Sequence, residues 1–461
     1  MNIDTHAKSG ESPCECIMCQ VRRPFTMPPD IVHALEKGEL VIFAGAGVST
    51  ESHMIAHASI YQEVKKVLKI PPKKRISFSN LMSKFCERED GRRKLLNRIR
   101  ERFEYLDMYP ASYRHVVRFH RELSTLYQIK EIITTNWDDY FERESGAIPF
   151  VSPKDFVFWN NDVRKVLKVH GSVTNYSSII VTRDDYERCY SELQNNSIGA
   201  YLKMLLTTKK ILFVGYSFGD EDFNQIYKIL MSDIKDVVPK SYIVTLDEAS
   251  KKKFEKMNCT TIITDATYFI EELKKIEIKK GNIVADKKFE LLSSLNEYIF
   301  NARKRILKLT DIKKTPMLLY TESYWDGISH CIGFLKIGKK KGKFSHSCET
   351  RNLLDSVRHI RRMWVRKEDY ERLAYTDGFI ACLLFFLDKN PRLEKINPYY
   401  LLGEKSGIKT EREYLNLCKK VEKKNTGPYR SAKAYTSRTP KILYPYIPPS
   451  IFPKSSIPDF D

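Results

Sequence analysis

The hydrophobic pattern switches between two periods from about residue 30 to about residue 265. Short apolar runs rich in β-branched residues stand at Leu40–Phe43, Ile129–Thr135, Lys165–Val169, Ser178–Val181, Ile211–Val214 and Tyr242–Leu246. Runs of this length with little polar alternation read as strands buried on both faces. Between most of them apolar residues recur at helical spacing, as in Ile60, Val64, Val67 and Leu68, then Ile198–Leu206 and Phe223–Met231. Ahead of the first strand, Pro28-Pro29 opens a helix with Asp30 as its cap, Ile31, Val32 and Leu35 on its apolar face, and Gly38 as its stop. The stretch leading to Gln128 is charged and helix-favouring, and Thr260–Thr264 reads as a last strand at a sheet edge. Strands alternating with helices predict an α/β domain built on a Rossmann-like parallel sheet with flanking helices.

The alternation then stops. Glu271–Lys287 is rich in lysine and glutamate and reads as a helix or linker. Beyond Phe289 the pattern is helical: Leu291–Leu309, an amphipathic Leu353–Leu373 carrying Arg358, Arg361, Arg362, Arg366 and Arg372, and a buried apolar Gly378–Leu387. Tyr444-Pro445-Tyr446-Ile447-Pro448-Pro449 cannot be regular helix and should lie extended. The division is a leader at 1–27, an α/β domain at 28–270, a charged linker or helix at 271–288, and a mostly α C-terminal domain at 289–461 that regulates or binds a partner. No internal repeat is present.

Composition changes this picture little. The chain has 461 residues, 42% hydrophobic and 30% charged, as in ordinary globular proteins. No apolar run approaches the ~18 residues of a membrane span, and the N-terminus lacks a secretory pattern. A cytoplasmic protein with reduced thiols is the expectation for its ten cysteines. Cys14, Cys16 and Cys19 with His6 have either a metal-ligating or an incidental reading. A net charge of +20 fits a nucleic-acid partner or solvated lysine faces, with one dense knot at Lys339–Lys343.

Four strand ends carry candidate chemistry. The first strand runs into Gly45-Ala46-Gly47-Val48-Ser49, a turn that can bring backbone amides to a phosphate. The second ends in Thr134-Thr135-Asn136-Trp137-Asp138, at the edge where parallel sheets bind ligands. A helix-capping role would also explain Asn136 and Asp138. A third ends in His170-Gly171 and a fourth in Gly215-Tyr216-Ser217-Phe218-Gly219. That last run also fits a hydrolase nucleophile elbow, which would leave the glycine turn at Gly45 and the Asn136 motif without a role.

In order and approximate spacing the four motifs resemble the landmarks of the sirtuin-like NAD-binding domain, over residues ~30 to 265. Val181-Thr182-Arg183-Asp184-Asp185-Tyr186 resembles a segment of its bacterial branch. Two departures stand out. Protein deacetylases of the family carry two Cys-x-x-Cys pairs after His-Gly, whereas Cys189 is the one cysteine between Gly171 and Gly215. Glu51–His57 replaces the usual glycine-proline stretch. The resemblance therefore implies an NAD+ hydrolase of the bacterial anti-phage defence type, cleaving the nicotinamide–ribose bond with no metal required. It implies Asn136 and His170 as catalytic residues. Gly45, Ala46, Gly47, Ser49, Thr135, Asp138, Gly215 and Ser217 would contact NAD+. It further implies regulation through the C-terminal region, a homo-oligomer, or a partner such as an ATPase, nuclease or Argonaute. A non-catalytic sensor of NAD+ or an ADP-ribose nucleotide, and a nucleic-acid-binding protein, are the alternatives.

Overall fold

The computed structural model describes residues 21–49, 58–159, 163–216, 221–231, 239–255, 257–340, 342–403 and 407–438. The cysteines of the leader, Ser217 and the proline-rich tail lie outside the described residues. The chain divides into two compact units, one drawn from residues up to Lys279 together with Lys340–Gly342, the other from the remainder beginning at Lys280.

The first unit opens with helix α1 (Pro29–Glu36) and strand β1 (Leu40–Ala44), followed by α2 (Ile60–Val67), α3 (Phe78–Cys86), α4 (Gly91–Met108), α5 (Pro110–Val116) and α6 (Arg118–Ser124). Then come β2 (Glu131–Thr134), α7 (Tyr140–Ser145), β3 (Ile148–Phe150), β4 (Lys165–Lys168), α8 (Arg183–Asn195), α9 (Ser197–Thr208) and β5 (Lys210–Val214). The unit closes with α10 (Glu221–Met231), β6 (Ser241–Thr245), α11 (Lys251–Glu255), β7 (Cys259–Ile263) and α12 (Ala266–Lys280). The strands form one parallel sheet in the order β3-β4-β2-β1-β5-β6-β7. Every residue of β1 is buried, as its apolar run requires. Val41, Phe43, Ile133, Leu167, Phe213 and Ile243 pack on Leu193 of α8, Leu202 and Leu205 of α9 and Ile226 of α10. A separate helical layer gathers Val64, Leu81, Phe85, Leu95 and Ile99 from α2, α3 and α4.

Several local expectations change. Pro28, not Asp30, precedes the first helical residue of α1. The Asp30 carboxylate instead accepts from the Tyr242 hydroxyl at 2.7 Å and pairs with Lys210 at 3.1 Å. Ser178–Val181 is not a strand: Tyr176–Ser178 is a 3-10 turn, and Ile179 and Val181 are buried in the helical layer. β3, which the hydrophobic pattern did not suggest, is a three-residue edge strand whose Pro149 needs no ladder donor on its outer side. Thr260–Thr264 does coincide with an edge strand, β7. Of the two readings for 271–288, linker or helix, residues 271–280 are helix and continue α12.

The second unit is helical: α13 (Asp286–Leu307), α14 (Leu318–Lys340), α15 (Ser347–Arg366), α16 (Tyr370–Leu387), α17 (Glu411–Lys424) and α18 (Gly427–Arg438). The predicted single helix Leu353–Leu373 is two, because Glu368 takes a left-handed φ of 53° and Asp369 caps α16 through the Arg372 amide. Leu354, Val357 and Trp364 of α15 face the core, while Arg351, Arg358, Arg362 and Arg366 are exposed. No disulfide joins the seven described cysteines. No helix among the described residues is long and apolar enough to cross a membrane.

Candidate active site

Strand register brings the motifs together. Ala44 of β1 pairs with Thr134 of β2 and with Val214 of β5, and Thr134 pairs with Lys168 of β4. The Gly45 turn, Thr135-Asn136, His170 and Gly215-Tyr216 therefore leave four adjacent strands at the same carboxyl edge. The strand order reverses there, between β1 and β5, which is where open parallel sheets form a crevice. A cleft of about 950 Å³ opens at that edge, lined by Ala46, Thr135, Asn136, Asp138 and His170 among others.

Asn136 is buried, and its carboxamide orientation is fixed by its neighbours. Nδ2 donates to the Gly45 carbonyl at 3.1 Å and to Ser49 Oγ at 2.8 Å. A carbonyl oxygen can only accept, so the nitrogen must face it. Both amide protons are thus committed, and what the carboxamide can offer a ligand is its acceptor oxygen Oδ1. The backbone is held as tightly: the Asn136 amide donates to Thr134 Oγ1 at 3.1 Å, and that hydroxyl donates to the Ala44 carbonyl at 2.9 Å.

The glycine turn is occupied by protein. It forms a 3-10 turn over Ala46–Val48. Its amides at Gly45, Gly47, Val48 and Ser49 donate to the carbonyls of Val214, Gly215, Gly45 and Ala46. Those four amides do not form the anion cradle expected of the motif. Glycine is required at 45 because a Cβ there would lie 2.5 Å from the Tyr216 ring, and at 47 because it would lie 2.9 Å from the Gly215 carbonyl. Tyr216 is itself fixed, its hydroxyl donating to the Ala44 carbonyl at 3.0 Å and lying 3.1 Å from Thr135 Oγ1. Ala46 and Thr135 line the cleft, whereas the Ser49 hydroxyl is turned inward to Asn136.

Asp138 is almost fully buried, and its Oδ1 accepts the Tyr140 amide at 3.2 Å, so it also anchors the start of α7. Burial raises its carboxyl above the usual range, against the pull of the Lys168 ammonium and a hydrogen bond from Ser49. Lys168 is a buried cation the sequence reading missed. Its Nζ donates to the carbonyls of Trp137 and Asp138 and pairs with Glu142 at 3.1 Å. It ties the end of β4 to the loop after β2.

His170 is buried at the cleft, its ring edge-on to Tyr186 with centroids 5.2 Å apart. Gly171 lets the chain turn at that point with a left-handed φ of 82°. Tyr186 comes from α8, which starts with a capping box between Thr182 and Asp185. The cleft is also lined by Arg75 and Arg102, two cations the sequence reading did not single out, and by the aromatic rings of Phe78 and Trp137; Arg102 Nη1 donates to the Ala58 carbonyl at 2.7 Å and lies 3.4 Å from Glu63 Oε1. His120 was missed as well. It is completely buried on α6, with Nε2 3.4 Å from Ser49 Oγ. The signal was available in its spacing: Val116, Phe119, His120 and Leu123 share one buried stripe.

Among the described residues no group of His, Cys, Asp and Glu is placed to hold a metal ion.

A SIR2-like domain model matches residues 130–271. The chain is 30% identical over 208 residues to NAD(+) hydrolase ThsA of Enterococcus faecium, a match covering 44% of this chain and 41% of that protein. It is 24% identical over 259 residues to NAD(+) hydrolase ThsA of Bacillus cereus (strain MSX-D12), covering 54% and 52%. It is 24% identical over 248 residues to Defense-associated sirtuin 2 of Bacillus subtilis, covering 47% and 22%. The chain spans about half, or less, of the length of these relatives. The matched domain includes Asn136, His170 and Gly215 but begins after the Gly45 turn.

Proposed function

With a SIR2-like domain at residues 130–271 as the premise, we propose that this chain hydrolyses NAD+ at the nicotinamide–ribose bond. Water adds across that bond, and the products are ADP-ribose, nicotinamide and a proton. The observation that carries the reading is the meeting of Asn136 and His170 in one cleft at the strand switch point. Relatives named as NAD(+) hydrolases support the choice of substrate.

Departure of the positively charged nicotinamide builds oxocarbenium character on the ribose. Asn136 Oδ1 accepts a hydrogen bond from the attacking water or from a ribose hydroxyl and so orients it for reaction at the sugar. His170 takes the proton that water releases. Thr135 and Ala46 contact the ribose side. Arg75 balances the diphosphate, a role that passes to it because the amides of the glycine turn are engaged internally, as Arg102 is by the Ala58 carbonyl and Glu63. Phe78 and Trp137 offer flat apolar faces to an aromatic base. General-base catalysis is worth about 10²–10⁴-fold, so His170→Ala should raise the barrier by about 3–5 kcal/mol.

Because unrestrained NAD+ loss would harm its own cell, the helical second unit is assigned the control of this activity, within a defence role like that in the name of the Bacillus subtilis relative. The test is hydrolysis of etheno-NAD+, followed by fluorescence with chromatographic identification of ADP-ribose and nicotinamide. Release of both products supports the reading. Saturable binding of NAD+ without product would instead make the cleft a sensor.

A further inference from the structure

We infer that His120 is a positioning residue, which acts through Ser49 to hold the Asn136 carboxamide with its oxygen toward the cleft. The inference rests on the reading of that cleft as the site of NAD+ cleavage.

Ser49 Oγ has one proton and two lone pairs. Asn136 Nδ2 donates to it at 2.8 Å and takes one lone pair. The Asp138 carboxylate is hydrogen-bonded to the same hydroxyl and, when ionised, can only accept, so it takes the proton. One lone pair remains, and His120 Nε2 is the group 3.4 Å away. The balance closes if Nε2 carries the imidazole proton. Nδ1 then holds a lone pair, and no partner faces it among the described residues. That is the cheaper arrangement, since a buried N–H without a partner is rarer in proteins than an unmet acceptor.

The surroundings keep the ring neutral and still. Burial pushes the imidazole down to about 3, with Glu144 opposing and Lys168 assisting. A neutral ring has one N–H, so the choice of nitrogen fixes the direction of the whole network. The ring is held edge-on by Phe141 at 4.4 Å and Tyr140 at 5.5 Å between centroids. Tyr140 begins the helix that Asp138 anchors, so the imidazole and the carboxylate are referenced to the same element. His120 does not line the cleft. Its hydrogen-bonding link toward Asn136 runs through Ser49.

The test uses the full chain with His120→Phe, which keeps ring shape and removes the donor, and His120→Gln, whose amide N–H reaches the Nε2 position. Steady-state etheno-NAD+ hydrolysis and crystal structures of both variants are the readouts. His120→Phe should lower kcat by about 10–100-fold and leave KM within about threefold, the signature of a misplaced group acting in the transition state. His120→Gln should recover kcat to within about fivefold of the parent. The Asn136 carboxamide should be displaced from Gly45 and Ser49 in the Phe variant and held in the Gln variant. Wild-type kcat in His120→Phe, or equal loss in both variants with the carboxamide unmoved, overturns the inference. If the Phe variant does not fold, His120→Gln decides alone: near-parental kcat upholds the role, and a loss beyond about tenfold refutes it. If the parent chain consumes no NAD+, the functional reading has failed, and the two crystal structures still decide whether His120 positions Asn136.

Discussion

Asn136→Asp changes almost no volume and exchanges one donor nitrogen for an oxygen. The nitrogen it removes serves Gly45 at 3.1 Å and Ser49 at 2.8 Å. Losing two hydrogen bonds costs about 2 kcal/mol. The Gly45 carbonyl would then face a second acceptor. The Ser49 proton cannot serve two carboxylates, and Asp138, already raised by burial and held back by Lys168 and Ser49, would compete for it. The introduced carboxyl is therefore driven toward its neutral form. A rise of about two units adds about 2.7 kcal/mol once the pH exceeds the folded-state value. The sign follows from proton binding. With the folded value above the unfolded one, the folded state holds the extra proton. The added cost is absent below the unfolded value near 4 and grows as pH rises through the folded value. The variant should lose about 3 kcal/mol at pH 4.5 and about 4–5 kcal/mol at pH 8, each relative to the parent at the same pH. Urea unfolding followed by tryptophan fluorescence measures both. Asn136→Leu serves as the control whose cost does not change with pH. Equal loss at the two pH values for Asn136→Asp would refute the assignment of the carboxamide's donors.

Lys168→Met should cost about 3–5 kcal/mol in urea unfolding, because it leaves the partly buried Glu142 and two loop carbonyls without their cation; a loss under about 1 kcal/mol would mean the pair contributes nothing. Gly171→Ala and Gly281→Ala both put a side chain at a left-handed φ, costing about 1–2 kcal/mol each. At Gly171 the Cβ also lands 2.1 Å from the Ser178 carbonyl, whereas at Gly281 nothing lies within 4 Å, so the first should exceed the second by at least about 2 kcal/mol in thermal or urea unfolding. In the second unit burial raises the Glu322 carboxyl to about 7, with Arg303 opposing and Asp326 assisting. Its folded value lies above its unfolded one, so its contribution is complete below about pH 4.5 and falls away as pH rises through about 7, by about 3 kcal/mol in all. Glu322→Gln should flatten that part of the pH profile, read by hydrogen exchange in α14.

The central strands were legible because β1, β2, β4 and β5 are apolar runs that each stop at turn-forming or polar residues. Their motifs could then be placed at one sheet edge before any geometry was known. β3 was hidden because three residues with a central proline carry no period. Ser178–Val181 misled because a short apolar run looks the same whether it joins a sheet or packs on helices, and Ile179 and Val181 do the latter. The break between α15 and α16 rests on one left-handed residue, Glu368, which nothing in its side chain announces. Within the site, the sequence located Asn136 and His170 but not what holds them. Ser49 looked like a ligand contact and is a buried acceptor for Asn136. Lys168 carried no role in the sequence reading and is buried between loop carbonyls. The roles of Gly45 and Gly47 were assigned to a phosphate, and the crowding at both comes from Tyr216 and Gly215. Those features depend on pairs far apart in sequence, which hydrophobic pattern and motif spacing do not report.

The most direct test of the central claim is a double-variant cycle on NAD+ hydrolysis, with kcat/KM measured for the parent, Asn136→Ala, His170→Ala and the two combined, and folding checked by circular dichroism. Two groups acting on one reacting centre are not independent, so the combined variant should be little worse than the poorer single variant. Losses that multiply in the combined variant, or parental turnover in either single variant, would contradict a shared site.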